Sequence, residues 1–298
     1  MEFLAGNRIR GLSTERSTTN TATGGTITTN TSVTPNKKVH TFLLADTGTS
    51  FTPASAFDVE YLVIAGGGST GTGGAPAGNR TGGGGGAGGY RTATGHAVTA
   101  QSYTITVGAG GVASGEGATG NDGGDSIFST ITSTGGGGGG SGDGGGGVAG
   151  RNGGSGGGGG SHSSAAGSGN TPSTSPSQGN DGGVGGANPQ SGGGGGSGGA
   201  GSGLTGGVGT SSSITGSPVT RATGGTSAAN IAGANNTGDG AGSQTVYSGA
   251  GKAGGSGIVI ISYETTTNAL PNIEDGSIFY ETDNNKSYVL YNGSWTEL

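Results

Sequence analysis

Three histidines, His40, His96 and His162, and two aspartates in the stretch GNDGGDS, Asp122 and Asp125, are the residues of this 298-residue chain whose types could do chemistry. Imidazoles and carboxylates can hold a metal or move a proton, but metal sites need them at short, regular spacings, and these histidines stand dozens of residues apart. The sequence predicts surface or packing roles for His40, at a strand start, and for His96, in a turn. Asp122 and Asp125 resemble calcium-loop sequence, with carboxylates three apart in a glycine-rich turn. No glutamate closes that loop at the expected distance, and Asx-Gly turns serve any β protein. Serines are abundant, yet none lies in a G-x-S-x-G context between a strand and a helix with acid and base partners. Strings of the form G-x-G-x-x-G carry no information at this composition, because nucleotide binding requires a helix directly after the loop and none follows Ala65-Gly66. No catalytic residue, cofactor site or metal site is assigned, and the chain reads as non-enzymatic.

What would have to position any such residue is unusual. All but seven of the 80 glycines fall between Gly66 and Gly257, in runs such as Gly135–Gly140 and Gly192–Gly196. Glycine has no side chain to bury and loses the most backbone entropy on folding, so this stretch is either disordered or packed backbone against backbone. From Gly144 to Gly159 one register holds glycine at every third position. Three residues is the period of the polyproline II helix, which has no internal hydrogen bonds and leaves every N–H and C=O pointing sideways. Neighbouring helices of the same kind can satisfy those groups, and glycine lets them approach. Gly/Ser-rich sequence is more often flexible linker. Here the runs recur within one domain, end in bulky residues (Tyr90, Arg91, Val148, Arg151) and alternate with apolar islands, which favours ordered packing, with Thr171–Gln178 as an exposed loop.

Those islands are the expected strands: Val39–Ala45, Val59–Ala65, Tyr103–Val107, Ser126–Ile131 and Gly257–Tyr263, each short and rich in β-branched or aromatic residues. The nearly continuous apolar runs Val59–Ala65 and Ile258–Ile261 predict burial on both faces. Helical periodicity is absent over any useful length. Tyr90 and Tyr247 stand where glycine runs meet strands; they are either carbohydrate-stacking platforms or plugs between the glycine layer and the β domain, and the sequence favours plugs. The expected fold is all-β: a β-sandwich-like core with interleaved polyglycine II helices over residues 39–264, an extended N-terminal arm over 1–38 for attachment, and a C-terminal β-meander over 265–298 with Phe279, Tyr288, Tyr291 and Trp295 in its core.

Composition limits the partners. Charged residues are 9% of the chain and the formal net charge is −6, with no basic cluster longer than Lys37-Lys38. Nucleic-acid binding is therefore not expected. Cysteine is absent, so no disulfide or thiolate metal site is available. The opening MEFLAGNRIRG has no apolar run long enough for a signal peptide or a membrane span, and membrane insertion is not expected. An ice-binding face would need Thr or Ser in a three-residue row, which the Gly144–Ser161 triplets lack.

From Val39 to Tyr263 the sequence resembles the glycine-rich domain of bacteriophage tail-fibre and adhesin proteins. The motifs that carry the resemblance are KVHTFLLADTGTSFTPAS, VEYLVIAGGGS, GGGGGAGGYRT, YTITVGAGG, NDGGDSIFS and GGSGIVIISY, in that order. Ser262 stands where the family pattern has arginine, which reads as a surface change. The C-terminal GSIFYETDNNKSYVLYNGSWTEL and the opening MEFLAGNRIRGLS are also similar to terminal segments of phage structural proteins, particularly those of marine phages. The resemblance implies a virion component, extracellular after host lysis. It would be a tail-fibre or receptor-binding adhesin for host attachment, a homo-oligomer with a trimer favoured, joined to other virion proteins through the N-terminal arm and facing a host receptor or glycan. A capsid-decoration or filament-forming subunit without receptor recognition is the alternative.

Overall fold

The structure, a computed structural model, describes residues 2–4, 8–11, 18–33, 35–74, 80–142, 146–227, 229–243, 249–267, 276–291 and 294–298. Strands form where β-branched and aromatic residues alternate, and the apolar faces they must bury fix the layers. A central antiparallel sheet runs, in spatial order, Thr26–Asn30, Lys37–Phe42, Ile258–Glu264, Phe57–Ile64 and Tyr90–Val98. A second antiparallel sheet comprises Ile131–Ser133, Ser126–Phe128, Tyr103–Thr106, Ser50–Pro53 and Ala22–Thr23. Between the two, Phe42, Val63, Val259 and Ile261 meet Phe51, Ile105 and Phe128. Phe51 and Phe128 sit edge to face at 6.0 Å. On the other face of the central sheet Leu62, Ile64, Ile258 and Ile260 pack on Ala87, Tyr90, Ile214 and Ala222. Burial on both faces is what the continuous apolar runs demand. A single 3-10 turn, Leu44–Asp46, is the one helical element among the described residues, so the fold is all-β.

Several expectations are corrected in detail. Ser126–Ile131 is not one strand but two, reversed at Ser129, whose φ is 55°. The reversal brings the buried Ser126 and Ser133 side by side, where their hydroxyls donate to the Ile64 and Val63 carbonyls at 2.8 and 2.7 Å. Ser262 is not at the surface: it alternates with Ile258 and Ile260 on one face of its strand and is fully buried. Tyr291 is 68% exposed, because the alternation of Lys286–Tyr291 turns Tyr288 and Leu290 inward instead. Phe279 is buried beside them, 5.8 Å from the Trp295 ring.

The chain's two ends are woven together. Thr18–Thr19 pairs with Thr266–Thr267, Ala22–Thr23 with the strand Ser50–Pro53, and Thr26–Asn30 with Lys37–Phe42. The C-terminal strands Ile278–Glu281, Lys286–Tyr291 and Ser294–Glu297 are extended to five by Glu2–Leu4 and Arg8–Gly11, the latter running parallel to Ile278–Glu281. A meander too short to stand alone thus gains two strands from the other terminus.

The glycine runs are ordered, and their hydrogen bonds repeat every three residues. Gly66, Ser69 and Thr72 donate to Gly124, Asn121 and Ala118 at 2.9–3.0 Å, a neighbour that runs antiparallel. Gly67 and Thr70 donate to Gly255 and Lys252, and Gly68 and Gly71 to Gly86 and Gly83. The carbonyls of Gly66, Ser69 and Thr72 receive Gly136, Gly139 and Gly142, a neighbour that runs parallel. Gly67 and Gly68 receive Gly111 and Ala241. Segment 66–72 is therefore a polyglycine II helix ringed by six other segments. Segments 83–89 and 154–160 are ringed in the same way. The triplet register expected as one continuous helix is bent instead at 153–155: Gly157 and Gly160 donate back to Arg151 and Val148, so its two arms lie side by side. Glycine at every third position serves contact between two arms as readily as contact along one. Gly144 lies outside the described residues.

The packing leaves no room for side chains inside. A Cβ built at Gly85 would land on the Gly68 carbonyl oxygen, and one at Gly194 on that of Gly85, far inside the 3.0 Å that real Cβ atoms respect. Gly115, by contrast, has nothing within 4 Å. Gly85→Ala is expected to lower unfolding stability by at least about 3 kcal/mol, the upper range for overpacking, while Gly115→Ala stays within about 0.5 kcal/mol of the parent. Urea denaturation of the two variants checks this, and equal midpoints would refute interior close packing.

Candidate functional site

The residues singled out for chemistry are not brought together. His40 lies fully buried in the sandwich, its Nε2 3.2 Å from the Tyr263 hydroxyl and its Nδ1 2.7 Å from the Gly24 carbonyl. Burial holds its pKa below the ordinary imidazole value, against the Gly24 hydrogen bond and helped by the charge of Lys38. His96 packs on Phe128 at 5.5 Å. His162 is exposed in a glycine-lattice turn with φ of 69°. Among the described residues no group of three or more His, Cys, Asp or Glu side chains could hold a metal ion. Tyr90 is buried against Ile64 and Ala87 as a plug, whereas Tyr247 lies outside the described residues.

The aspartates do something the sequence did not suggest. Asp122 Oδ1 accepts the Gly138 N–H at 2.9 Å and Asp125 Oδ1 accepts the Gly135 N–H at 2.8 Å. Two carboxylates three residues apart face two glycines three residues apart, so each stands in for a carbonyl of a neighbouring helix. Asp122 also pairs with Arg151 at 2.9 Å. Asp181 accepts Gly169 N–H at 2.7 Å, and Asp239 accepts Thr223 N–H at 2.8 Å. A carboxylate that takes a backbone donor is a charge-assisted acceptor, stronger than the carbonyl it replaces. The legible signal was the shared spacing of three, read in the sequence as a possible calcium loop.

Hydroxyls and amides do the same work elsewhere. Ser69 Oγ accepts Asn121 N–H at 2.7 Å, and Asn152 Oδ1 accepts Ser168 N–H at 2.7 Å.

The turns that join the arms carry the side chains the lattice interior excludes. Some of the described turns, those that join the arms near Gly117, Ser161–Ser163 and Gly186–Gln190, lie at the end away from the strands. Ser161 N–H meets the Thr81 carbonyl at 3.0 Å, Ser163 N–H meets Gly186 at 2.8 Å, and Gly117 N–H meets Gly73 at 3.2 Å. The Thr81 hydroxyl donates to the Pro189 carbonyl. His162, Asn188 and Gln190 are exposed there. Thr171–Ser177 is also exposed, as the sequence implied, but it lies at the opposite end: the adjoining Gln178 is buried and binds Thr134 N–H at 2.8 Å, just past strand Ile131–Ser133.

A family model described as a glycine-rich domain matches residues 45–264, from the 3-10 turn to the last residue of strand Ile258–Glu264. The chain belongs to the glycine-rich domain family. No curated protein matches it. The matched span takes in every strand of the sandwich from Ser50 onward and the whole described lattice.

Two outcomes follow for the aspartates of the glycine-rich domain. Asp125→Ala leaves Gly135 N–H without its acceptor and is expected to cost about 1–3 kcal/mol by chemical denaturation, while Asp125→Asn, which keeps an oxygen, recovers most of it. Asp239 has its pKa raised above 3.8, chiefly by burial, against hydrogen bonds from Thr223 and Thr237. The fold favours its neutral form, so this contribution is complete below the unfolded pKa and is lost as pH rises through the folded one. Asp239→Asn should therefore raise the melting midpoint at pH 7 and lose the advantage below about pH 4. A benefit independent of pH would refute the assignment.

Proposed function

We propose that this chain is a structural protein of a bacteriophage virion, a tail-fibre or receptor-binding adhesin that meets the host surface with the turn cluster around Thr81, His162 and Pro189. The observation that supports the reading is that the lattice interior admits no side chains while exposed side chains such as His162, Asn188 and Gln190 stand on its far turns. A scaffold of that kind can change what it presents without changing how it folds. Backbone packing also gives a cysteine-free protein a rigid body, which suits an extracellular particle. The motif order of the sequence points the same way. On this reading the chain is not an enzyme, it assembles as a trimer, and the sheet that joins its two termini lies toward other virion proteins.

The exposed turn residues favour one competing reading. Among the described residues the exposed His162, Asn188 and Gln190 include no Tyr, Trp or Arg, the residues that concentrate binding energy in interfaces, and Arg80 beside Thr81 is half-buried. A capsid-decoration or filament subunit would need none.

Immunogold labelling of phage particles should place the protein at the tail, and absence from virions would overturn the proposal. Purified protein should bind host cells saturably. Replacing 161–164 and 186–190 by Gly/Ser turns should abolish binding with the melting midpoint kept, since those short turns can change without removing a lattice arm. Retained binding would move recognition elsewhere, and no binding by the parent would favour the decoration subunit.

A further inference from the structure

On the face of the central sheet that carries Leu62 and Ile260, at the strand ends remote from the glycine arms, lies an open groove of about 510 Å3 that the proposed function leaves unused. That volume falls in the range of small-ligand sites. Strand alternation sets its floor. Asp58 and Glu60 lie two apart on one strand, Ser262 and Glu264 two apart on the antiparallel neighbour, and Ser262 is registered opposite Glu60. All four line the groove together with Lys37 and Thr94. Lys37 Nζ reaches Glu60 Oε2 at 3.0 Å from the far side of the Ser262 strand.

Two features of this patch conflict with stability. Three carboxylates face one ammonium, and like charges side by side across strands destabilise a sheet. The Ser262 hydroxyl is fully buried and has no hydrogen-bond partner, which costs about 1–3 kcal/mol. An excess of acceptors around a buried, unused hydroxyl, within a groove open to solvent, is the arrangement that a planar, multi-donor cation satisfies. A guanidinium offers five N–H donors in a fixed fork, pairs with carboxylates two at a time and is weakly hydrated.

We infer that this groove is a binding site for a guanidinium group, held by Asp58, Glu60 and Glu264 with the Ser262 hydroxyl as an additional acceptor at its base. Lys37 stays on Glu60 at the rim and leaves the patch short of positive charge. The site is independent of receptor recognition at the far turns, so each can fail without the other.

Calorimetric titration of the full chain with agmatine and with a capped Gly-Arg-Gly peptide tests this. Saturable binding of either, with Kd of about 1 mM or tighter, is expected. Agmatine alone assigns a small-molecule ligand; the peptide alone, or both, assigns an arginine of a partner chain. Asp58→Asn with Glu264→Gln should weaken binding at least about tenfold. Ser262→Arg should abolish it by placing a tethered guanidinium in the groove, with the unfolding midpoint kept or raised. Should the variants fold poorly, tetramethylammonium, which has no N–H donors, serves as the control on the parent chain and should not bind. Absence of saturation with both ligands, equal binding of tetramethylammonium, or unchanged affinity in a folded Asp58→Asn/Glu264→Gln variant would each overturn the inference.

Discussion

Carbonyl oxygens stand where side chains would have to be. At Gly85, Gly194 and Gly225 the place of a Cβ is taken by the backbone oxygen of an adjacent arm, so glycine's own Cα–H points at it. Each interior residue then makes an N–H···O bond of about 1 kcal/mol net and a Cα–H···O contact of about 0.5–1 kcal/mol. Ordering its backbone costs about 1–2 kcal/mol. The two sides nearly cancel, so the lattice holds only as a collective and only beside a core that supplies the surplus. The sandwich supplies it through the apolar faces of Phe57–Ile64 and Ile258–Glu264, both of which continue directly into glycine arms.

The seam between the two packings is where bulky side chains earn their positions. Tyr90 and Ala87 fill the layer beneath Ile64. Gln178 is the polar counterpart: its carbonyl receives Tyr90 N–H at 2.8 Å, and its amide donates to the Pro172 carbonyl at 3.0 Å. Without such a residue the strand ends would face the lattice with unsatisfied groups, because a strand pairs in a plane and a polyglycine II helix pairs in three directions.

Much of this was legible. Strand positions followed from β-branched islands, burial on both faces from unbroken apolar runs, and ordered glycine from its three-residue period. What the sequence hid was pairing across long separations. The spacing from Gly147 to Gly159 is the same whether the chain runs straight or doubles back, and only the bond from Gly160 to Val148 distinguishes them. Ser126–Ile131 looks like one strand because nothing local marks Ser129 for a left-handed φ. Ser262 reads as a surface residue until its strand is seen to be buried on both faces. For the aspartates the spacing was visible and the partner was not, since Gly135 and Gly138 matter only once their arm lies beside Asp122 and Asp125.

Those aspartates also decide where the lattice stops. An outer polyglycine II helix with bare N–H groups would template a further helix from any passing chain, much as an exposed β-edge recruits another strand. At Gly135, Gly138, Gly169 and Thr223 the donor is already taken by a carboxylate from the same molecule, and a charged side chain occupies the next helix's place. A packing that could in principle grow like a crystal in two dimensions is thereby closed at a finite cross-section, and a protein made largely of glycine can remain a single discrete particle.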